Sequence, residues 1–235
     1  MTAQEVVNEL KTLGSASTKN TLMKHGAREP FYGVKVEELK KIEKRIKKDY
    51  QLSMDLFDTG ISDAMYLAGL IADPAKMTIR DLQHWADNAY WYMLSEYTVA
   101  WTAAESQYGM ELALQWIDSQ EEKIACSGWA TLSNIVLLKK DEDLDLDLIA
   151  TLLQRIEKTI QMAPNRVRHM MNAFVIAAGS GIISLKDQAI ATAEKMGKVH
   201  VDMGGTACKV PDAVAYIRKV EAKGYIGKKR KMAKC

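Results

Sequence analysis

The 235-residue chain carries 32 lysines and arginines against 30 aspartates and glutamates, a net charge of +2, which excludes a polycation that coats nucleic acid through bulk charge. Hydrophobic residues at 48% and charged residues at 26% exclude a disordered chain, and the length suits one domain with a substantial core. Cys126, Cys208 and Cys235 form no C-x-x-C pair, which excludes a disulfide framework and a zinc cage and points to a reducing cytoplasm.

The first segment, MTAQEVVNELKTLG, offers a capping box of Thr2 and Glu5 and a stop at Gly14. It holds acids and no apolar stretch, so no secretory signal is expected, and no later run approaches the length that spans a bilayer. A second helix runs to Gly26. After the turn-like REPFYG, the apolar stripe Val36, Leu39, Ile42 and Ile46 predicts an amphipathic helix with lysines and arginine on its other faces. SDAMYLAGLIADP reads as a helix capped by Ser62 and stopped by Pro74. Helical periodicity continues over Ile79–Ala86, Tyr90–Ala104, Met110–Ile117 and Glu122–Leu138.

The acidic run Asp141–Asp147 precedes a stripe of Leu148, Leu152, Ile156 and Ile160, and helices are expected over Asn165–Ala178, Leu185–Met196 and Asp212–Lys223. Only KVHVDMGG, Lys198–Gly205, alternates as a short strand would, and one strand makes no sheet. Four prolines in the whole chain agree with helix. The expectation is all-α: residues 1–227 as a single domain of HEAT-like helical pairs stacked into a solenoid, and 228–235 as a basic C-terminal tail.

Three places could carry chemistry. Asn88–Tyr97, NAYWYMLSEY, concentrates aromatic side chains around Glu96, with Trp85 and Trp101 extending the density; such spacing fills a core or walls a pocket. Gly204, Gly205, Thr206 and Lys209 precede the helix near Asp212, either as an anion-binding turn or as ordinary turn chemistry. His200, Asp202 and Cys208 invite a nucleophile or a metal, but without a positioned base they read as a turn aspartate and a buried cysteine.

REPFYGVKVEELKKIEKRIKKD, LFDTGISDAMYLAGLIADP and LQHWADNAYWYMLSEY resemble the bacterial alkylpurine DNA glycosylases of the AlkD type, in the DNA alkylation repair superfamily. The resemblance runs from about Pro30 to Ala178 and weakens beyond Gly179. It implies a solenoid of HEAT-like repeats with DNA along a concave basic face. It also implies a tryptophan followed four residues later by an aspartate, which stabilises positive charge as the glycosidic bond breaks, and aromatic faces that hold a cationic base.

Trp91 matches the tryptophan, and Ser95 stands where the aspartate belongs. On a regular helix the adjacent Glu96 points about 100° away, so it substitutes only if the helix is shifted. The arginine implied near Glu122–Ala130 and the indole implied near Asn172–Phe174 are absent. The candidate excision residues are therefore Trp91, Ser95 and Glu96, with Trp85, Tyr92 and Trp101 as pocket aromatics. Candidate DNA contacts are Lys35, Arg166, Arg168, Lys209, Lys228, Lys229, Arg230 and Lys231. The expected protein is a monomer that binds damaged or branched duplex, without cofactor, metal or membrane, and with weak or absent excision. The alternative is a helical scaffold for protein partners.

Overall fold

The computed structural model describes residues 1–234. Among them are α1 (Ala3–Leu13), α2 (Ala16–Lys24), α3 (Val36–Ile46), α4 (Tyr50–Phe57), α5 (Ser62–Ile71), α6 (Ile79–Asn88), α7 (Ala100–Glu105), α8 (Gly109–Trp116), α9 (Glu122–Leu138), α10 (Leu146–Thr159), α11 (Asn165–Gly181), α12 (Lys186–Met196) and α13 (Ala213–Ala222). A π-helical segment, Leu94–Val99, leads directly into α7.

Local chemistry explains most boundaries. Thr2 and Glu5 close the expected capping box, with Glu5 accepting from the Thr2 amide at 2.8 Å and Thr2 from the Glu5 amide at 3.2 Å. Thr78 and Asp81 do the same for α6, and Asp145 caps α10 through the Leu148 amide at 2.9 Å. Helix α4 has no counterpart in the sequence reading. Lys47, at φ 66°, breaks the chain after α3, and Asp49 restarts it by accepting from the Leu52 amide at 3.0 Å.

Two sequence expectations differ from the structure. Ser62 does not cap α5, whose N-cap is Ile61; its hydroxyl instead accepts from the Trp91 indole at 2.7 Å. The segment Lys198–Gly205 forms no strand. It is a loop docked on α11 by the Asn165 side chain, which accepts from the Asp202 amide at 2.7 Å and donates to its carbonyl at 2.8 Å.

The helices form two rows. In the central row α5, the π segment with α7, α9, α11 and α13 each pack against the next, while α4, α8, α10 and α12 cover them as a second row. Within this row α5 and α9 are enclosed nearly all round: every residue of α5 is buried, as is α9 from Ile124 to Val136. One hydrophobic cluster fills the N-terminal half and another the C-terminal half, and Leu138 packs against both. This is the HEAT-like repeat architecture of a single domain.

The turn REPFYG is pinned to this stack by Asp63 on α5. Its buried carboxylate accepts from the amides of Tyr32 at 2.5 Å and Val34 at 2.8 Å. Gly33 has φ +78°, and a Cβ there would lie 2.6 Å from the Lys19 amide nitrogen, so this turn requires glycine.

Residues 228–234 pack along the stack as a strap. Gly227 N–H donates to the Ser180 carbonyl, Arg230 N–H to Leu137, and the Lys229 and Lys234 ammonium groups to Val136 and Leu70. These acceptors lie in the last turns of α11, α9 and α5, whose carbonyls have no partner within the helix. Basic side chains are favoured there because the helix dipole ends negative. Ala233 is buried, and its amide donates to the Glu105 carboxylate at 2.6 Å.

Candidate functional site

The expected helix over Tyr90–Ala104 begins only at Tyr92 and is wound as a π-helix over Leu94–Val99. A π turn holds one residue more than an α turn, and such turns are frequent at functional sites. The extra residue brings Glu96 round to the cleft that a regular helix would offer to Ser95. Both residues line it, with Trp91, Tyr92, Cys126 of α9 and Arg166 at the first turn of α11. The cleft encloses about 460 Å³. No second-row residue lines it.

Arg166 dominates this cleft. Its guanidinium forks onto the Glu96 carboxylate, with Nε donating to Oε1 at 2.8 Å and Nη2 to Oε2. It also lies over the Tyr92 ring at 4.4 Å, and its backbone amide donates to Glu122 at 2.6 Å. Glu96 is almost wholly buried, with its side chain 2% exposed. Burial pushes its carboxyl up to about 7 against the pull of Arg166. Burial likewise pushes the Tyr92 hydroxyl up to about 12 and the Cys126 thiol well above its ordinary value.

The other charges are engaged as well. Glu121 pairs with Lys123 at 3.3 Å, Lys123 donates to the Asp87 carbonyl, and Arg28 donates to the Tyr90 carbonyl at 2.5 Å. Sequence reasoning missed Arg28, Glu122 and Lys123. Arg28 heads the REPFYG block and could have been flagged by it; the others gain meaning only from the packing of α9 on α11.

The remaining expected site residues divide by position. Trp85 is fully buried, stacked on Phe57 with ring centroids 4.5 Å apart, and is a core side chain rather than a wall of the cleft. Trp91 is nearly buried, its indole tied to Ser62 and its ring edge-on to Tyr92. Trp101 lies between Tyr66 and Tyr97 and lines a second, larger hollow of about 880 Å³.

Lys228, Lys229, Arg230 and Lys231 line that hollow with Lys234, opposite α7, α9, α11 and α13. Lys229 is an anchor rather than a free contact, paired with Asp141 at 2.8 Å. Lys35 is exposed beside Glu37 and joins neither opening, and Arg168 lines neither. Lys209 is exposed on the loop before α13. At that helix start the Asp212 carboxylate already occupies the place of an anion, accepting from the Ala215 amide at 2.8 Å. Asp202 is a turn aspartate that accepts from Gly204 at 2.8 Å, whereas Cys208 is exposed and not buried. Among the described residues no three His, Cys, Asp or Glu side chains gather as a metal would require.

Comparison with known proteins agrees with the helical-repeat fold. Residues 6–174 match the family model described as DNA alkylation repair enzyme. Uncharacterised proteins of Listeria innocua, Lin0241, and of Listeria monocytogenes, Lmo0209, are each 33% identical over 225 residues, covering 93% of this chain and 97% of theirs. A solved structure 35% identical superimposes over 100% of both chains with a TM-score of 0.92; it is described as a new family related to the HEAT-like repeat DNA glycosylases with affinity for branched DNA structures. This chain belongs to the DNA alkylation repair enzyme family.

Proposed function

We propose that the protein binds branched or distorted DNA without regard to sequence and excises alkylated bases weakly or not at all. The observation that carries this reading is the self-occupied cleft. Excision needs an unpaired carboxylate facing the sugar and an open aromatic face for a cationic base. Arg166 takes both: its guanidinium neutralises Glu96 and covers Tyr92. Ser95, at the position of the family's aspartate, is a hydroxyl that supplies no charge to a developing oxocarbenium ion.

Binding itself is supported by the family and by the affinity of the 35% identical relative for branched DNA. The strap adds exposed Lys228, Arg230 and Lys231 along the larger hollow. Cations of this kind give an affinity that falls linearly in log–log form with salt.

The test compares a labelled four-way junction with a linear duplex of the same length over a salt series, and measures free 7-methylguanine from methylated DNA. Tighter, salt-dependent junction binding with base release at buffer level is expected, for wild type and Glu96→Gln alike. Rapid release by wild type that Glu96→Gln abolishes would overturn the excision half. No binding at low salt would overturn the DNA half in favour of a protein-binding scaffold.

A further inference from the structure

Small side chains alternate with Leu137, Met170 and Ile176 where α9 and α11 line the larger hollow. Ala130, Ser133 and Asn134 on α9 face Ala173 and Ala177 on α11, at spacings that put each set on one side of its helix. Larger residues there would close the groove. The apolar lining nonetheless stays open to solvent, and its walls are unusual. The exposed large hydrophobic side chains among the described residues include three tyrosines, Tyr97, Tyr216 and Tyr225, at 37%, 47% and 52% exposure. All three line this hollow. Tyr97 stands edge-on to Trp101, with centroids 5.3 Å apart, so its ring is held in place.

The charge along the same hollow is one-sided. Five strap cations line it against a single carboxylate, Glu96, which Arg166 already holds. The strap itself is fixed by the part-buried contacts of Lys229 and Lys234, which leaves Arg230 and Lys231 turned to solvent, while the exposed Lys228 ammonium lies over one face of the Tyr225 ring, 4.7 Å from its centroid. A groove with exposed rings along its wall and cations along its rim matches the needs of an unpaired strand, which offers base faces for stacking and a phosphate backbone for pairing. A paired duplex shows no base faces to such a wall.

We propose that this groove takes a single-stranded DNA segment, its bases stacked on Tyr97, Tyr216 and Tyr225 and its phosphates along Lys228, Arg230 and Lys231. The proposal rests on the DNA-binding reading above and narrows it, since unpaired segments occur at flaps, gaps and opened branch points.

Fluorescence anisotropy with an oligothymidylate of roughly 12 nucleotides tests it, beside a junction whose arms are fully paired. Tyr216→Ala with Tyr225→Ala is expected to weaken oligothymidylate binding at least tenfold. Binding of the paired junction should hold within about twofold, and the Tyr→Phe pair should bind both probes like wild type. Both tyrosines are about half exposed, so the variants should melt like the parent. If wild type binds the paired junction but not the oligothymidylate, or if the alanine variant keeps full single-strand affinity, this inference falls and the broader reading stands. If wild type binds neither probe at low salt, both fall. If the alanine variant changes sedimentation and not DNA affinity, the groove seats a second copy of the chain and the inference is likewise overturned.

Discussion

Arg166 and Glu96 are 70 residues apart in sequence, yet their pairing decides the chemistry of the cleft. The sequence marks each separately, Glu96 as a shifted acid and Arg166 as a phosphate contact. Nothing local predicts that one cancels the other. The same burial makes a pH prediction. Glu96 is raised from its ordinary 4.5 to about 7, so between those values the folded state holds a proton that the unfolded state has released. Its contribution to stability therefore grows as pH falls through that window. His169 behaves oppositely. Burial lowers it from 6.5 to about 4, so acidification protonates the unfolded chain first and stability is lost. Between about pH 6.5 and 4.5 the two offset each other. Glu96→Gln removes the first and leaves the second, so its urea midpoint should fall on acidification across this window more steeply than that of wild type. Parallel profiles would show that the Glu96 carboxyl is not raised.

Element boundaries were largely legible because helix caps and apolar stripes act within a few residues. Glu122–Leu138 appears as expected, and α11, α12 and α13 deviate from expectation by three residues or fewer at either end. Two elements were not legible. Helix α4 has only eight residues, too few for a repeated stripe. The π-helical segment differs from an α-helix by one residue per turn, and its selection depends on packing against α5 and α9. The strap is a third case: a lysine-rich end reads as solvated until the carbonyls that receive it are in view. Gly227 is its hinge. At φ +78°, with a prospective Cβ 2.6 Å from Ile183, it admits no larger residue without strain. Gly227→Ala should cost about 1–3 kcal/mol in urea unfolding. A loss under 0.5 kcal/mol, within the ordinary range for surface substitutions, would mean that the strap re-docks freely.

Across the whole molecule, a stack in which each helical pair touches only its neighbours unfolds as a sum of local units. The strap opposes this by joining the C-terminal helices to α5 and to Glu43 of α3, which Lys234 approaches at 3.8 Å. Burial of Lys234 depresses its pKa, the mark of an ammonium held away from bulk water. A chain ending at Gly227 should therefore lose cooperativity as well as stability, with a lower midpoint and a broader transition of smaller urea m-value. An unchanged m-value with a lower midpoint would show that the strap adds contacts without coupling the two halves.

By itself the sequence determined the helical class, the stacked-pair organisation and the family, because short-range periodicity and caps and a few motif blocks suffice for these. It also placed Ser95 where the resemblance implies an aspartate. Only the tertiary structure decided that Trp85 is core, that the π turn presents Glu96, that Arg166 fills the cleft beside it, and that the basic end lies across the helix termini. Each of those depends on which distant groups meet in a dry environment, where unpaired charges are costly and a single partner fixes the role of its neighbour.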